Sequence, residues 1–316
     1  MSETKYGGAD AHIYTEKYYP PGFVVDNTVL PKCKCDIPIM IVGVGPGRVA
    51  STALALLMAS QNGIALSYYQ PWKTLIRHGL DYGQFCVPEL PNGAVFAKET
   101  LGPFNEAEQF DPVELLLKAG YPPEKIHPIV FLRDPLAVYK SNLKFEGGIA
   151  PQMLVDNILF AHGLYERYLR QGLPAIPFAY ELAALGEDAF IPLFGHLGIP
   201  FDGLEFDSLA VQPYTSGGKF VPAEAAHPAE WAEIVKPVID AGKFQYMDSA
   251  PIYSENFFDY GNMPGVNMPV EGLVSAARFI DSECSSVYEQ FLLASAQYLG
   301  LTDKLVKLSC IWGKLA

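Results

Sequence analysis

The chain has 316 residues, 50% of them hydrophobic and 18% charged, which is enough apolar mass for a large core without disulfides or a structural metal. Its 22 Lys and Arg stand against 35 Asp and Glu, a net charge of −13, so counterion release offers no driving force and nucleic acid is excluded as an expected partner. An anionic ligand would have to be held by a local cluster of backbone N–H groups and a few placed cations.

Residues 1 to about 35 carry Gly, Pro and Tyr without a usable period and predict an irregular N-terminal arm. No charged start followed by an apolar stretch and a small-residue cleavage site opens the chain, and its 5 cysteines are an odd, scattered set. Both features predict a reduced, cytoplasmic setting. Cys33 and Cys35 have no second Cys or His pair at matching spacing, so no metal site is expected. No apolar run approaches the ~20 residues of a membrane-spanning helix, and no membrane partner is expected.

Residues 37–42 (IPIMIV) predict a strand that runs into a glycine cluster, Gly43 to Gly47, and then into the strongly helix-forming ASTALALLMAS. AVFA at 94–97 and IVFL at 129–132 predict the next two strands, with a helical pattern at VELLLKAG between them. PAIPFAY at 174–180 predicts a fourth, which its prolines restrict to an edge or a strand start. LAVYKSNLKF and MLVDNILFAHGLYERYLRQG predict helices, the second ending at Gly172. From about 271 to 316 the apolar spacing predicts a C-terminal helical segment suited to packing on the sheet or on a second subunit, so a homodimer stays open. No linker or repeat divides the chain, which reads as one domain over residues 1–316. Apolar strands alternating with helices predict an α/β fold, a parallel sheet flanked by helices. Ligands of such sheets bind at the carboxyl ends of the strands, here the loops after residues 42, 97 and 132.

A glycine-rich turn from strand into helix lets backbone N–H groups converge on phosphate or sulfate, and the helix dipole adds to the attraction. The Walker pattern needs Gly-Lys-Ser/Thr, whereas this chain has Arg48-Val49-Ala50-Ser51-Thr52 and no lysine in the motif. Gly45-Pro46-Gly47-Arg48-Val49-Ala50 does satisfy the dinucleotide fingerprint G-x-G-x-x-G/A. The ribose-binding carboxylate expected about 20 residues on is missing from Leu66 to Pro71.

The string Gly45-Pro46-Gly47-Arg48-Val49-Ala50-Ser51-Thr52 resembles the 5′-phosphosulfate loop of sulfotransferases that use 3′-phosphoadenosine-5′-phosphosulfate (PAPS). That loop has Lys or Arg followed by Ser-Gly-Thr-Thr or Ser-Gly-Ser-Thr. Arg48, Ser51 and Thr52 match, while Val49 and Ala50 replace Ser-Gly. IVFLRDPLAVYKSNLKF resembles the family's 3′-phosphate block, an Arg-Asp-Pro after a buried strand with a serine eight residues beyond the arginine, here Arg133 and Ser141. FAYELAALGEDAFIPLFGHLGIP resembles its Tyr-Glu-x-Leu segment and following helix, which implies that Tyr180 lies near the adenine. Thr215 to Phe220 is similar to a late basic loop, with Lys219 as a clamp on the 3′-phosphate. The three main blocks span residues 37 to about 200 in the family's order. The resemblance implies PAPS as sulfuryl donor, no metal, and a P-loop-like sulfotransferase fold.

Sulfuryl transfer through a loose transition state builds charge on the leaving phosphate oxygen, which Arg48 is placed to meet. Ala97-Lys98-Glu99-Thr100 resembles the family's block after a sheet strand and assigns Lys98 to the moving sulfuryl group. Where small-molecule members have the histidine of Lys-x-His this chain has Thr100, so Glu99 and His78 are the remaining candidates for the base. Strict strand alternation would aim Glu99 away from Lys98 unless the strand has already ended. The scarcity of basic residues argues against polyanionic acceptors, leaving a small-molecule alcohol, phenol or amine, a specialised metabolite. An NAD(P)-dependent oxidoreductase and a degenerate sulfotransferase fold that binds nucleotide without turnover stay open as alternatives.

Overall fold

The computed structural model describes residues 37–73, 93–102, 108–145, 149–212, 217–221 and 270–305. The N-terminal arm, His78 and the chain beyond 305 lie outside them.

The first strand, β1 (Ile39–Pro46), continues four residues past the predicted end of the apolar run. Gly43 and Gly45 are therefore strand residues, not loop residues. The reason is packing from both neighbouring strands. A Cβ on Gly43 would meet the Phe131 ring at 2.6 Å and the Phe96 ring at 2.8 Å, and a Cβ on Gly45 would run into the Phe131 carbonyl oxygen. Helix α1 (Ser51–Ser60) follows, then a strand absent from the sequence reading, β2 (Ile64–Tyr69). Its IALSYY carries a fully buried serine, Ser67, whose hydroxyl donates to the Ala55 carbonyl of α1 at 2.7 Å, so a polar residue interrupts the apolar signal at a position that is nonetheless core.

β3 (Ala94–Leu101), α2 (Pro112–Lys118) and β4 (Ile126–Leu132) come next. Asp111 caps α2 by accepting from the N–H groups of Val113 and Glu114, both at 3.0 Å, and Pro112 fills the first helical position. α3 (Pro135–Phe145) and α4 (Pro151–Arg170) match the two predicted helices. α4 closes on Gly172 at φ 73, with the Leu173 N–H donating to Tyr168 O at 3.0 Å. β5 (Ile176–Ala179), α5 (Glu187–Leu197), the two-residue β6 (Phe220–Val221) and the long α6 (Val270–Tyr298) follow, with a 3-10 turn at Tyr180–Leu185 directly after β5.

All six strands are parallel, in the order β5-β4-β1-β3-β2-β6. The predicted α/β class is the one observed, with six strands among the described residues in place of four. β5 is an edge strand, which lets Pro177 sit in it without costing a ladder hydrogen bond on its outer side. α1 packs on β2 and β3, α4 on β1 and β4, and α6 on β5, α3 and α4. Among the described residues, no helix is long and apolar enough to cross a membrane.

Candidate functional site

The chain leaves β1 and β4 in opposite directions although they are neighbours. From β1 it passes through α1 to β2, beyond β3, whereas from β4 it passes through α3 and α4 to β5 on the other side. Their carboxyl ends therefore meet at a topological switch point, the place where open parallel sheets bind ligands. On one side of it lies the loop from Gly47 to Ala50, on the other the corner at Arg133 and Asp134.

Gly47 is the first residue beyond β1, and a Cβ there would meet only Thr100 Cγ2, at 3.6 Å. Arg48 and Ala50 both hold left-handed backbone, at φ 67 and 58. Between them Val49 buries its side chain in the core. Ala50 begins α1 with no side-chain cap, so the helix presents its first N–H groups and its positive end without a side-chain acceptor from the cap residue. Ser51, the first residue of α1, is buried.

The two sides are bonded to each other. Arg48 Nε donates to Ser141 Oγ on α3 at 3.1 Å, and Arg133 Nη1 donates to the Arg48 carbonyl at 3.0 Å, across sequence separations of 93 and 85 residues. The buried Arg133 guanidinium lies 5.0 Å from the centroid of the Tyr180 ring. Arg48, Ser141, Arg133 and Tyr180 thus meet at one corner. Asp134 turns the other way and caps α3, accepting from the N–H groups of Leu136 and Ala137 at 2.9 and 3.0 Å. Glu181 accepts from the Asp134 N–H at 2.9 Å, and its burial pushes its carboxyl up to about 6 against the opposing pull of its hydrogen bonds.

A second cluster forms where β3 passes the loop. Lys98 is buried, with its ammonium 3.9 Å above the centroid of the Tyr69 ring and bonded to Thr100 Oγ1. The Tyr69 hydroxyl shares a 3.0 Å hydrogen bond with Thr52 Oγ1 in the first turn of α1. Tyr69 is therefore the physical link between Lys98 and the loop. Its segment, SYYQPW, carries aromatic residues but nothing in the sequence that pairs Tyr69 with Lys98.

β3 runs on to Leu101, so strand alternation holds and Glu99 faces away from Lys98. Glu99 is fully buried, its Oε1 accepts from the Trp72 N–H at 2.7 Å, and among the described residues its Oε2 has no hydrogen-bond partner. Burial outweighs the backbone hydrogen bonds from Trp72 and Lys73 and the nearby Lys98 and Lys73 charges, pushing the carboxyl up to about 8. Close by, Lys73 pairs with Glu108 at 3.0 Å and donates to the carbonyls of Thr100, at 3.0 Å, and Gly102. This buried pair was invisible in the sequence, because 35 residues separate its members and neither lies in a motif.

Lys219 is not brought to this group. Its ammonium donates to the Gln61 carbonyl at 3.1 Å, at the far end of the 10-residue α1, roughly 15 Å along the helix from the loop. That position follows from β6 pairing with β2, which sets Lys219 beside the middle of β2. The structure thus assigns the ammonium a tie between α1 and the sheet edge where the motif suggested a clamp. No protein-family model matches the chain, and neither a curated protein nor a solved structure matches it.

Proposed function

We propose that the chain is a cytoplasmic sulfotransferase that moves a sulfuryl group from PAPS to a hydroxyl or amine of a small-molecule acceptor. The observation that carries this reading is the bonded corner of Arg48, Ser141 and Arg133, which unites two motifs from distant parts of the sequence at the switch point of the sheet. The donor set suits a ligand carrying two phosphates and a purine. Two guanidiniums, a serine hydroxyl and an uncapped helix start are anion donors, and the Tyr180 ring beside Arg133 offers a face for an aromatic base.

Arg133 and Ser141 would hold the 3′-phosphate and the loop from Gly47 to Thr52 the 5′-phosphosulfate. PAPS supplies an activated sulfuryl group on a phosphate leaving group. Arg48 and Lys98 supply the fixed positive charge that meets the negative charge developing on that leaving oxygen. Lys98 faces the loop side of β3 and is held there by Tyr69, so its ammonium is oriented before any ligand arrives. Glu99, on the opposite face and holding its proton at neutral pH, supports the Trp72 backbone instead of serving as the base. Proton removal then rests on the acceptor's own acidity or on groups such as His78 outside the described residues.

Calorimetric titration with adenosine 3′,5′-bisphosphate, NADH and ATP tests the reading. We expect selective binding of the bisphosphate, weakened about tenfold or more in Arg133→Ala, as befits loss of a charge-assisted phosphate contact. Preference for NADH, or no nucleotide binding, would overturn it. Tight binding with no transfer of labelled sulfate to any acceptor would leave a nucleotide-binding protein of the same fold.

A further inference from the structure

The buried face of α6 follows a helical stripe of Ile280, Cys284, Tyr288, Phe291 and Ser295, and two of these five carry hydroxyls. An apolar stripe would pack as well without them, and a buried hydroxyl is tolerated only with a partner. Both partners lie at the carboxyl end of β5. Tyr288 donates its O–H to Glu181 Oε2, and Ser295 Oγ accepts from the Ala179 N–H at 3.1 Å while donating to Phe291 O at 2.7 Å within its own helix.

These contacts bracket one residue. Ala179 and Glu181 flank Tyr180, whose ring stands against the Arg133 guanidinium. The second oxygen of Glu181 continues the chain of bonds, accepting from the Asp134 N–H next to Arg133. The side chain that fixes Tyr180's neighbour therefore also fixes the backbone beside Arg133, and α6 holds both.

We propose that Tyr288 and Ser295 of α6 are positioning residues for the Tyr180–Arg133 corner, setting its affinity for the purine and 3′-phosphate end of the donor without touching it. This rests on the corner being the nucleotide site proposed above. Its consequence is a division of labour. α6 governs binding, while Arg48 and Lys98, attached to β1 and β3, govern transfer.

The test uses the full chain and its variants Tyr288→Phe, Ser295→Ala and, as a control on an exposed face of the same helix, Leu293→Ala. The readout without ligand is amide hydrogen exchange at Asp134 and Ala179. Tyr288→Phe is expected to speed exchange at Asp134, and Ser295→Ala at Ala179, by about tenfold, as for loss of one hydrogen bond, with Leu293→Ala unchanged. With adenosine 3′,5′-bisphosphate as probe, Tyr288→Phe is expected to weaken binding about three- to tenfold while kcat at saturating donor stays at the parental value. Unchanged exchange at both amides, or a loss of kcat with unchanged affinity, overturns the proposal. Failure of the parent chain to bind the bisphosphate refutes the nucleotide reading, and the exchange data still decide whether α6 orders the corner. If Tyr288→Phe does not fold, Ser295→Ala carries the same comparison from the other side of Tyr180.

Discussion

Two residues in the loop after β1 bear side chains where the backbone is left-handed, Arg48 and Ala50. Position 50 is where the phosphosulfate loop that this segment resembles has glycine. The chain keeps the glycine-like backbone, φ 58, with an alanine in it, which costs roughly 1–2 kcal/mol relative to an unstrained residue. Ala50→Gly is therefore expected to raise stability by about 0.5–1 kcal/mol, the added freedom of glycine in the unfolded chain offsetting part of the relief. Urea unfolding at unchanged slope measures it. A loss of stability would mean that the alanine methyl contributes packing that outweighs the strain. Arg48, Arg133 and Ser141 were legible at this scale because each belongs to a short motif. Tyr69 and Lys73 were not, since their roles arise from contacts with Lys98, Thr52 and Glu108 that local spacing does not encode.

Elements are tied to one another at the site by buried polar groups. Lys73, in the helical residues 71–73 that follow β2, reaches Glu108 beyond β3 and the carbonyls at the end of β3 itself, joining the segments at the carboxyl edge of the sheet. Both side chains are almost fully buried, at 1% and 2% exposure, so removing one leaves the other's charge without its counterion in a low dielectric. Lys73→Met is expected to cost about 3–5 kcal/mol, and adding Glu108→Gln to recover a large part of it. Chemical denaturation of the single and double variants checks this, and simple additivity of the two losses would contradict it. Strand positions were readable where the chain is continuously apolar, as in β4. The glycine-containing end of β1 and the serine-containing β2 were misread or missed, because side chains on neighbouring strands and on α1 decide that those small and polar residues are core.

For the whole molecule, stability against pH follows from the acids it buries. Glu99 has an ordinary carboxyl value of 4.5 when unfolded and about 8 when folded, so between those values the folded state binds more protons than the unfolded state. Its contribution is complete below about pH 4.5 and is lost as pH rises through 8. Glu181 acts in the same direction over the narrower interval from 4.5 to about 6. Unfolding free energy is therefore expected to fall by a few kcal/mol between pH 5 and 8 on account of Glu99. Glu99→Gln should flatten that slope in denaturant titrations across the range. An equal slope in the variant would show that Glu99 does not carry it.

The sequence by itself determined the class of fold, because apolar runs alternating with helical periods can bury their faces only as a parallel sheet between helices. It also singled out the segments at the ends of β1 and β4, where glycines with an arginine, and Arg-Asp-Pro, stand at short spacing. The tertiary structure alone decided which of those residues meet. Strand order placed β1 against β4 and so joined Arg48 to Ser141 and Arg133. The pairing of β6 with β2 set Lys219 beside the middle of β2 with its ammonium on the Gln61 carbonyl, and the continuation of β3 turned Glu99 away from Lys98. The physical reason is that a motif is local in the chain, whereas burial, strand order and the charge around a side chain are set by residues tens of positions away.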